Sequence, residues 1–160
     1  MIVLVRVDDR LLHGQMAISW TKHLQADTIL IANQAAVNDE FTMMSLRLAK
    51  PRGVQIIIQD LSQAIRYLKE AADSESRVMV VIKNLRDAQC ILEQFTMITE
   101  LNIGGLRSRS HVLRIQDSVA LNAADIELCR KIKERVCVYV QEIPSEKRKL
   151  IQDFLKDEKG

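Results

Sequence analysis

The sequence predicts an α/β fold: a three-layer α/β/α sandwich around a mostly parallel central sheet of about six to seven strands. Three observations point there. Short β-branched runs recur at residues 2–7, 28–32, 54–59, 78–83, 98–103 and 136–141. Most are apolar on both faces rather than alternating, as strands covered on both sides by helices must be. Between them lie segments with apolar residues at helical spacing, so strand and helix alternate, and right-handed crossovers then give a parallel sheet. A chain of 160 residues is expected to form one domain, residues 1–160, and can bury a sound core. No internal repeat, low-complexity segment or linker is evident.

The elements can be justified in order. "MIVLV" opens the chain as a buried strand, and the charges at Arg6, Asp8 and Asp9 end the apolar run after five residues. Met16, Trp20 and Leu24 then recur at i, i+4 and i+8, a core stripe on a helix starting near Gln15. After the second strand, Asn38 or Asp39 can cap a helix carrying Phe41, Met44 and Leu48, which Pro51 stops. Leu61, Ile65 and Leu68 mark the next helix. Asn84 with Asp87, and later Asn122 with Asp125, resemble capping boxes with Asp in place of Glu. The first of these opens a helix with Ala88, Ile91, Leu92 and Phe95 facing inward. "GGLRSRSHVLRIQD", residues 104–117, reads as a long loop, with a short extra strand near 112–115 or 119–121. After Pro144 a charged helix carrying Leu150, Phe154 and Leu155 is expected.

Composition excludes several classes. The chain is 48% hydrophobic and 28% charged, with a net charge of +2, too small to argue for nucleic-acid binding. Stacking aromatics are scarce: three Phe, two Tyr and one Trp. No basic segment precedes the N-terminal apolar run, so it is not a signal peptide, and no run approaches the roughly 18 apolar residues of a membrane helix. A cytoplasmic protein is expected. Cys90, Cys129 and Cys137 lack metal or redox spacing and read as buried thiols. No zinc signature, Walker A motif, GxGxxG or GxSxG occurs.

The chemistry concentrates in "VDDRLLHGQ", residues 7–15. It lies at the carboxyl end of the first strand, where open α/β sheets bind ligands. Gly14 permits a tight turn into the helix, whose first N–H groups, beginning at Gly14 and Gln15, lack internal partners and carry partial positive charge. With Arg10 beside them this is an anion site, and phosphate is its usual occupant. His13 stands at the mouth, with a side chain that is neutral and nucleophilic near pH 7. Asp8 or Asp9 could hydrogen-bond the other ring nitrogen or Arg10, or could only shape the turn. Read without context, a lone histidine after a strand is more often a loop residue. The coincidence of Arg, His, Gly and a helix start within five residues raises the catalytic reading. His23 reads as a surface or packing residue, and His111 lies in the basic loop.

"VRVDDRLLHGQ", followed by Trp20, closely resembles the phosphorylation-site segment of the enzyme IIB component of the mannose/fructose/sorbose family of the phosphoenolpyruvate-dependent sugar phosphotransferase system. "AVNDE" at 36–40, "LNIGGLRSR" at 101–109, "VALNAADIE" at 119–127 and "VQEIPSEK" at 140–147 resemble further family segments, in the same order. The resemblance implies that His13 accepts a phosphoryl group from a histidine of the IIA domain. It then passes the group to a sugar held by the membrane IIC/IID pair, Arg10 stabilising the phosphate. The family reacts through Nδ1; the sequence alone does not choose a nitrogen. The resemblance implies a three-layer α/β/α fold, no metal and no soluble cofactor. It implies cytoplasmic location, with peripheral association to the permease. Mannose, fructose, sorbose and N-acetylgalactosamine are all handled within the family, including its hexosamine-type members, so the sugar is left open, as is homo-oligomerisation. Two departures are Asn33-Gln34, where acidic residues are frequent, and Arg135, where a glycine often precedes the last strand. Arg107 and Arg109 are expected to face an acidic partner, raising the encounter rate. The rival is a non-catalytic module binding a phosphorylated ligand or acidic partner through Arg10 and the arginine loop.

Overall fold

The protein is described as a computed structural model covering residues 1–155. Strand β1 (Ile2–Asp8) runs through Arg6 and Asp8, the charges expected to end the apolar run, and both are fully buried. Helix α1 (Gly14–Leu24) follows, then β2 (Thr28–Ala32), a short α2 (Gln34–Val37), α3 (Glu40–Leu48), β3 (Gln55–Gln59) and α4 (Leu61–Glu70). The chain continues as β4 (Val78–Ile82), α5 (Leu85–Gln94), β5 (Glu100–Arg107), β6 (Leu113–Gln116), β7 (Val119–Leu121), α6 (Ala123–Ile132), β8 (Cys137–Val140) and β9 (Lys149–Leu150).

Strands β3, β2, β4, β1 and β5 lie side by side in that order, all parallel. Beyond β5 the sheet forks. Residues 100–103 of β5 pair in parallel with β8, while Leu106 and Arg107 pair in parallel with β7. The fork ends are antiparallel additions: β6 on β7 and β9 on β8. The result is a mixed, mostly parallel sheet of nine strands, seven on the main path and two on the branch.

Strand periodicity divides the core into two layers. Val5, Val7, Leu30, Val80 and Ile82 face α4, α5 and α6, where Leu68, Ile91 and Cys129 meet them. Leu4, Ile29, Ile31, Met79 and Val81 face the other way, onto Met16 and Trp20 of α1, Ala36 of α2 and Leu46 of α3. The three-layer α/β/α sandwich read from the sequence is the observed architecture, and β2 spans the residues expected. Asp39 is the cap of α3, Asn84 and Asn122 cap α5 and α6, and Asn122 with Asp125 forms a complete capping box.

Several expectations are corrected. The arginine-rich segment is not one long loop: β5 continues through Gly104, Gly105 and Leu106, and both alternative short strands form, as β6 and β7. The segment after Pro144 is not a helix. Leu150 ends β9, and a single 3-10 turn at Ile151–Asp153 precedes Phe154 and Leu155. The charged end of that expected helix, residues 156–160, lies outside the described residues. The Phe41, Met44 and Leu48 stripe marks the helix correctly but points outward, while Leu46 and Met43 reach the core. Of the cysteines, Cys129 is buried, Cys90 partly so, and Cys137 is exposed on the fork strand. Asn33, one of the two departures, is a cap: its side chain accepts from Ala36 N at 2.9 Å. Arg135 turns back and donates to Phe95 O at 3.1 Å.

Candidate active site

The carboxyl ends of β1, β5 and β8 converge, and the polar side chains of the chain's first loop meet there. Asp8 closes β1, and its carbonyl accepts from Leu11 N at 2.9 Å, a tight turn over residues 8–11. Leu11, the residue that closes the turn, takes the left-handed conformation at φ 60°. That conformation costs a non-glycine residue of order 1 kcal/mol or more. It persists because the Leu11 side chain is buried in the α1-side core. Gly14 is therefore not the turn residue expected; its φ is ordinary, and a Cβ there has nothing within 4 Å.

His13 is the N-cap of α1, in extended conformation, and its side chain makes no capping bond. The imidazole turns back instead, and Nε2 lies 3.1 Å from Asp8 Oδ2. Arg10 donates its backbone N–H to Asp8 Oδ1 at 3.0 Å. Its guanidinium is half exposed and loosely held, 3.9 Å from Asp8 Oδ1 and 3.8 Å from Glu142 Oε1. Asp9 faces elsewhere. It accepts from Arg107 N at 2.8 Å and from Arg107 Nη1 at 2.6 Å, and its own N–H donates to Gly105 O. Asp8 thus meets the histidine, while Asp9 fastens the turn to the end of β5. Arg107 is engaged in that tether; Arg109 is exposed in the β5–β6 connection, and His111 bonds Ser108 O through Nδ1.

Beneath Asp8 lies a group that the sequence reading passed over. Arg6 is fully buried, its Nη2 donating to Asp8 Oδ2 at 3.0 Å and its Nη1 to Asn102 Oδ1 at 2.8 Å and Gln141 O at 3.2 Å. Its guanidinium carbon lies 5.6 Å from the Trp20 ring centre. Trp20 in turn donates to Glu142 O at 2.9 Å, and Gln141 braces the following loop through Pro144 O and Glu146 O. The glycine pair exists for this cluster. A Cβ on Gly104 falls 1.9 Å from Arg6 Cζ, and one on Gly105 falls 2.8 Å from Asp8 Oδ1. The signal was available: "VRVD" alternates, and alternation in a strand covered on both faces buries both charges.

These contacts set the charges. Burial alone pushes the Asp8 carboxyl up. The His13 hydrogen bond, the Arg6 charge and the Arg10 N–H outweigh it and hold Asp8 below the ordinary carboxylate range. Burial pulls Arg6 below its ordinary value against the opposing pull of Asp8, yet an arginine stays charged at neutral pH. An ionised carboxylate only accepts hydrogen bonds, so Asp8 selects the Nε2–H form of His13 and leaves Nδ1 as the lone-pair nitrogen. No described residue hydrogen-bonds Nδ1. A ring nitrogen with a free lone pair, a half-exposed guanidinium and a helix N-terminus are together able to receive an anionic group such as a phosphoryl group. No cluster of three or more His, Cys, Asp or Glu suited to a metal occurs among the described residues. No helix among them is long and apolar enough to cross a membrane.

Known proteins share this arrangement's scaffold. The IIB domain of the sorbose permease from Klebsiella pneumoniae superposes with a TM-score of 0.87 at 30% identity, over 96% of this chain and 94% of that one. A probable phosphotransferase enzyme IIB component of Streptococcus pyogenes is 28% identical over 152 residues, covering 91% of this chain and 93% of the relative. The mannose-specific EIIAB component of Escherichia coli is 31% identical over 134 residues, which are 84% of this chain but 42% of that longer protein. The family described as the PTS system sorbose subfamily IIB component matches residues 2–160. From the first strand through the carboxyl-end cluster, the chain belongs to that family of phosphotransferase system IIB components.

Proposed function

We propose that this chain is a phosphoryl carrier that takes a phosphoryl group from a IIA component onto His13 Nδ1. It delivers the group to a sugar entering through membrane IIC/IID subunits, beside which the chain works from the cytoplasmic side. The observation that carries the reading is the 3.1 Å contact between His13 Nε2 and the buried Asp8 carboxylate, which leaves Nδ1 as the free nucleophile. In the first step Nδ1 attacks phosphorus in line, a P–N bond forms and the donor's P–N bond breaks, its electron pair leaving with the donor imidazole. The Nε2 proton stays between His13 and Asp8. The loosely held Arg10 guanidinium moves from Glu142 onto the equatorial oxygens, and the Gly14 and Gln15 N–H groups face the same charge. In the second step a sugar hydroxyl oxygen attacks phosphorus, the P–N bond breaks with its electron pair returning to Nδ1, and the proton lost from the hydroxyl passes to water.

The partner-facing role expected of the arginine loop falls mainly to Arg109, because Arg107 is committed to Asp9. Sorbose and mannose appear in the relatives' names. Selectivity among sugars is assigned to the membrane subunits. The test is incubation with phosphoenolpyruvate, the two general transferase proteins and a cognate IIA. One phosphoryl group per chain, acid-labile and base-stable, is expected by intact mass. His13→Ala should take up none; a His13→Ala chain that labels like the parent refutes the assignment. Reversible binding of a phosphorylated ligand with no mass gain favours the non-catalytic rival.

A further inference from the structure

We infer that Arg6 is a positioning residue for the phosphoryl transfer, acting as the counter-charge that lets Asp8 orient His13 without converting it to an imidazolium. The inference rests on the reading of His13 as the phosphoryl acceptor, and it adds a requirement that reading does not contain. A carboxylate in contact with an imidazole does two things at once. It fixes the tautomer, which the reaction needs, and it favours a second ring proton, which the reaction cannot tolerate, because imidazolium has no lone pair to attack phosphorus. Asp8 is fully buried, so water screens its charge poorly. Something must offset that charge at close range.

Arg6 does so by contact. Its Nη2 and His13 Nε2 approach the same oxygen, Asp8 Oδ2, at 3.0 and 3.1 Å. The guanidinium is fixed from behind by Asn102 Oδ1 and Gln141 O, and the missing side chain of Gly104 makes its space. The other charged groups around the site are largely paired away from Asp8. On the turn, Asp9 is joined to Arg107 of β5. Arg10 lies between Asp8 and Glu142, the residue that follows β8, at 3.9 and 3.8 Å, and is half exposed. A solvated guanidinium that must travel to the phosphoryl group cannot be the permanent partner of Asp8. Arg6 can, because hydrogen bonds to Asp8, Asn102 and Gln141 hold it and it is fully buried. Asp8 and Arg6 together are an ion pair without net charge that turns its carboxylate oxygen to the ring, a directional acceptor that draws a second ring proton less strongly than an unpaired carboxylate would.

The experiment follows the ring nitrogens of His13 by 15N NMR across pH, with His23 and His111 as internal references, in parallel with the pH profile of phosphoryl uptake. The parent is expected to show the Nε2–H form near neutral pH. In Arg6→Met, the protonation midpoint of His13 should rise by about one pH unit or more, with the acidic limb of uptake moving by the same amount. Each unit of rise lowers the neutral fraction below the midpoint about tenfold. Arg6→Lys, which restores the charge, should return the midpoint toward the parent's. Arg6→Gln, which keeps a donor for Asp8 and removes only the charge, gives the same readout if Arg6→Met does not fold. An unchanged midpoint and an unchanged acidic limb in a folded Arg6→Met or Arg6→Gln overturn the inference. A parent in the Nδ1–H form overturns instead the reading on which it rests.

Discussion

Replacing Gly104 by alanine adds one carbon, and the structure says where it lands: 1.9 Å from Arg6 Cζ and 2.1 Å from each terminal nitrogen. To restore a carbon–carbon separation of about 3.5 Å, the guanidinium must retreat by about 1.6 Å. It has little room, because hydrogen bonds of 2.8 to 3.2 Å fix it to Asn102, Asp8 and Gln141, and Trp20 covers it at 5.6 Å. The substitution therefore breaks a buried ion pair while leaving both charges inside, which costs about 3–5 kcal/mol. For a domain of this size each kcal/mol lowers Tm by about 2–4 °C, so a fall of about 6–20 °C is expected. Thermal and urea unfolding monitored by circular dichroism measure it. Gly14→Ala, where the new Cβ meets nothing within 4 Å, is the control and should change stability by less than about 1 kcal/mol. The cause is separable by a double-mutant cycle: in an Arg6→Ala background the same Gly104→Ala change should cost much less. A Gly104→Ala protein that melts with the parent, or a cost that persists in full without Arg6, refutes the account of why the glycine is there.

Three further outcomes are expected. Arg10→Ala should fold normally, since its half-exposed guanidinium stabilises little, but should slow phosphoryl uptake by His13 by about 10²–10³-fold in single-turnover assays. Asp8 is held below the ordinary carboxylate range, so its contribution to stability is present above that range and is lost as pH falls through the folded-state value. Urea unfolding between pH 5 and pH 2 should thus show Asp8→Asn losing stability less steeply with acid than the parent, by up to about 1.4 kcal/mol per pH unit. With a thiol reagent under native conditions, exposed Cys137 should react first. Cys129, which burial pushes up to about 12, should react only as fast as the chain opens.

The sequence by itself determined the layered α/β architecture, because that information is local. Double-sided apolar runs, helical stripes and the Asp39, Asn84 and Asn122 caps are each written within a few consecutive residues. It also marked a candidate site: His13, Arg10, Gly14 and the start of α1 are neighbours in the chain, so their spacing alone puts an imidazole and a guanidinium beside a helix N-terminus. What only tertiary structure decided were the partners that come from distant strands. Asp8 and Asp9 are adjacent and chemically identical, yet alternation along β1 turns one under His13, while the other reaches Arg107, ninety-eight residues away. "GG" at 104–105 read as loop chemistry because its cause, the guanidinium of Arg6, is on another strand. The outward face of α3 and the strand in place of the C-terminal helix were hidden for the same reason. Periodicity says that a face exists, but which way it turns, and what pairs with it, depends on neighbours that are distant in sequence.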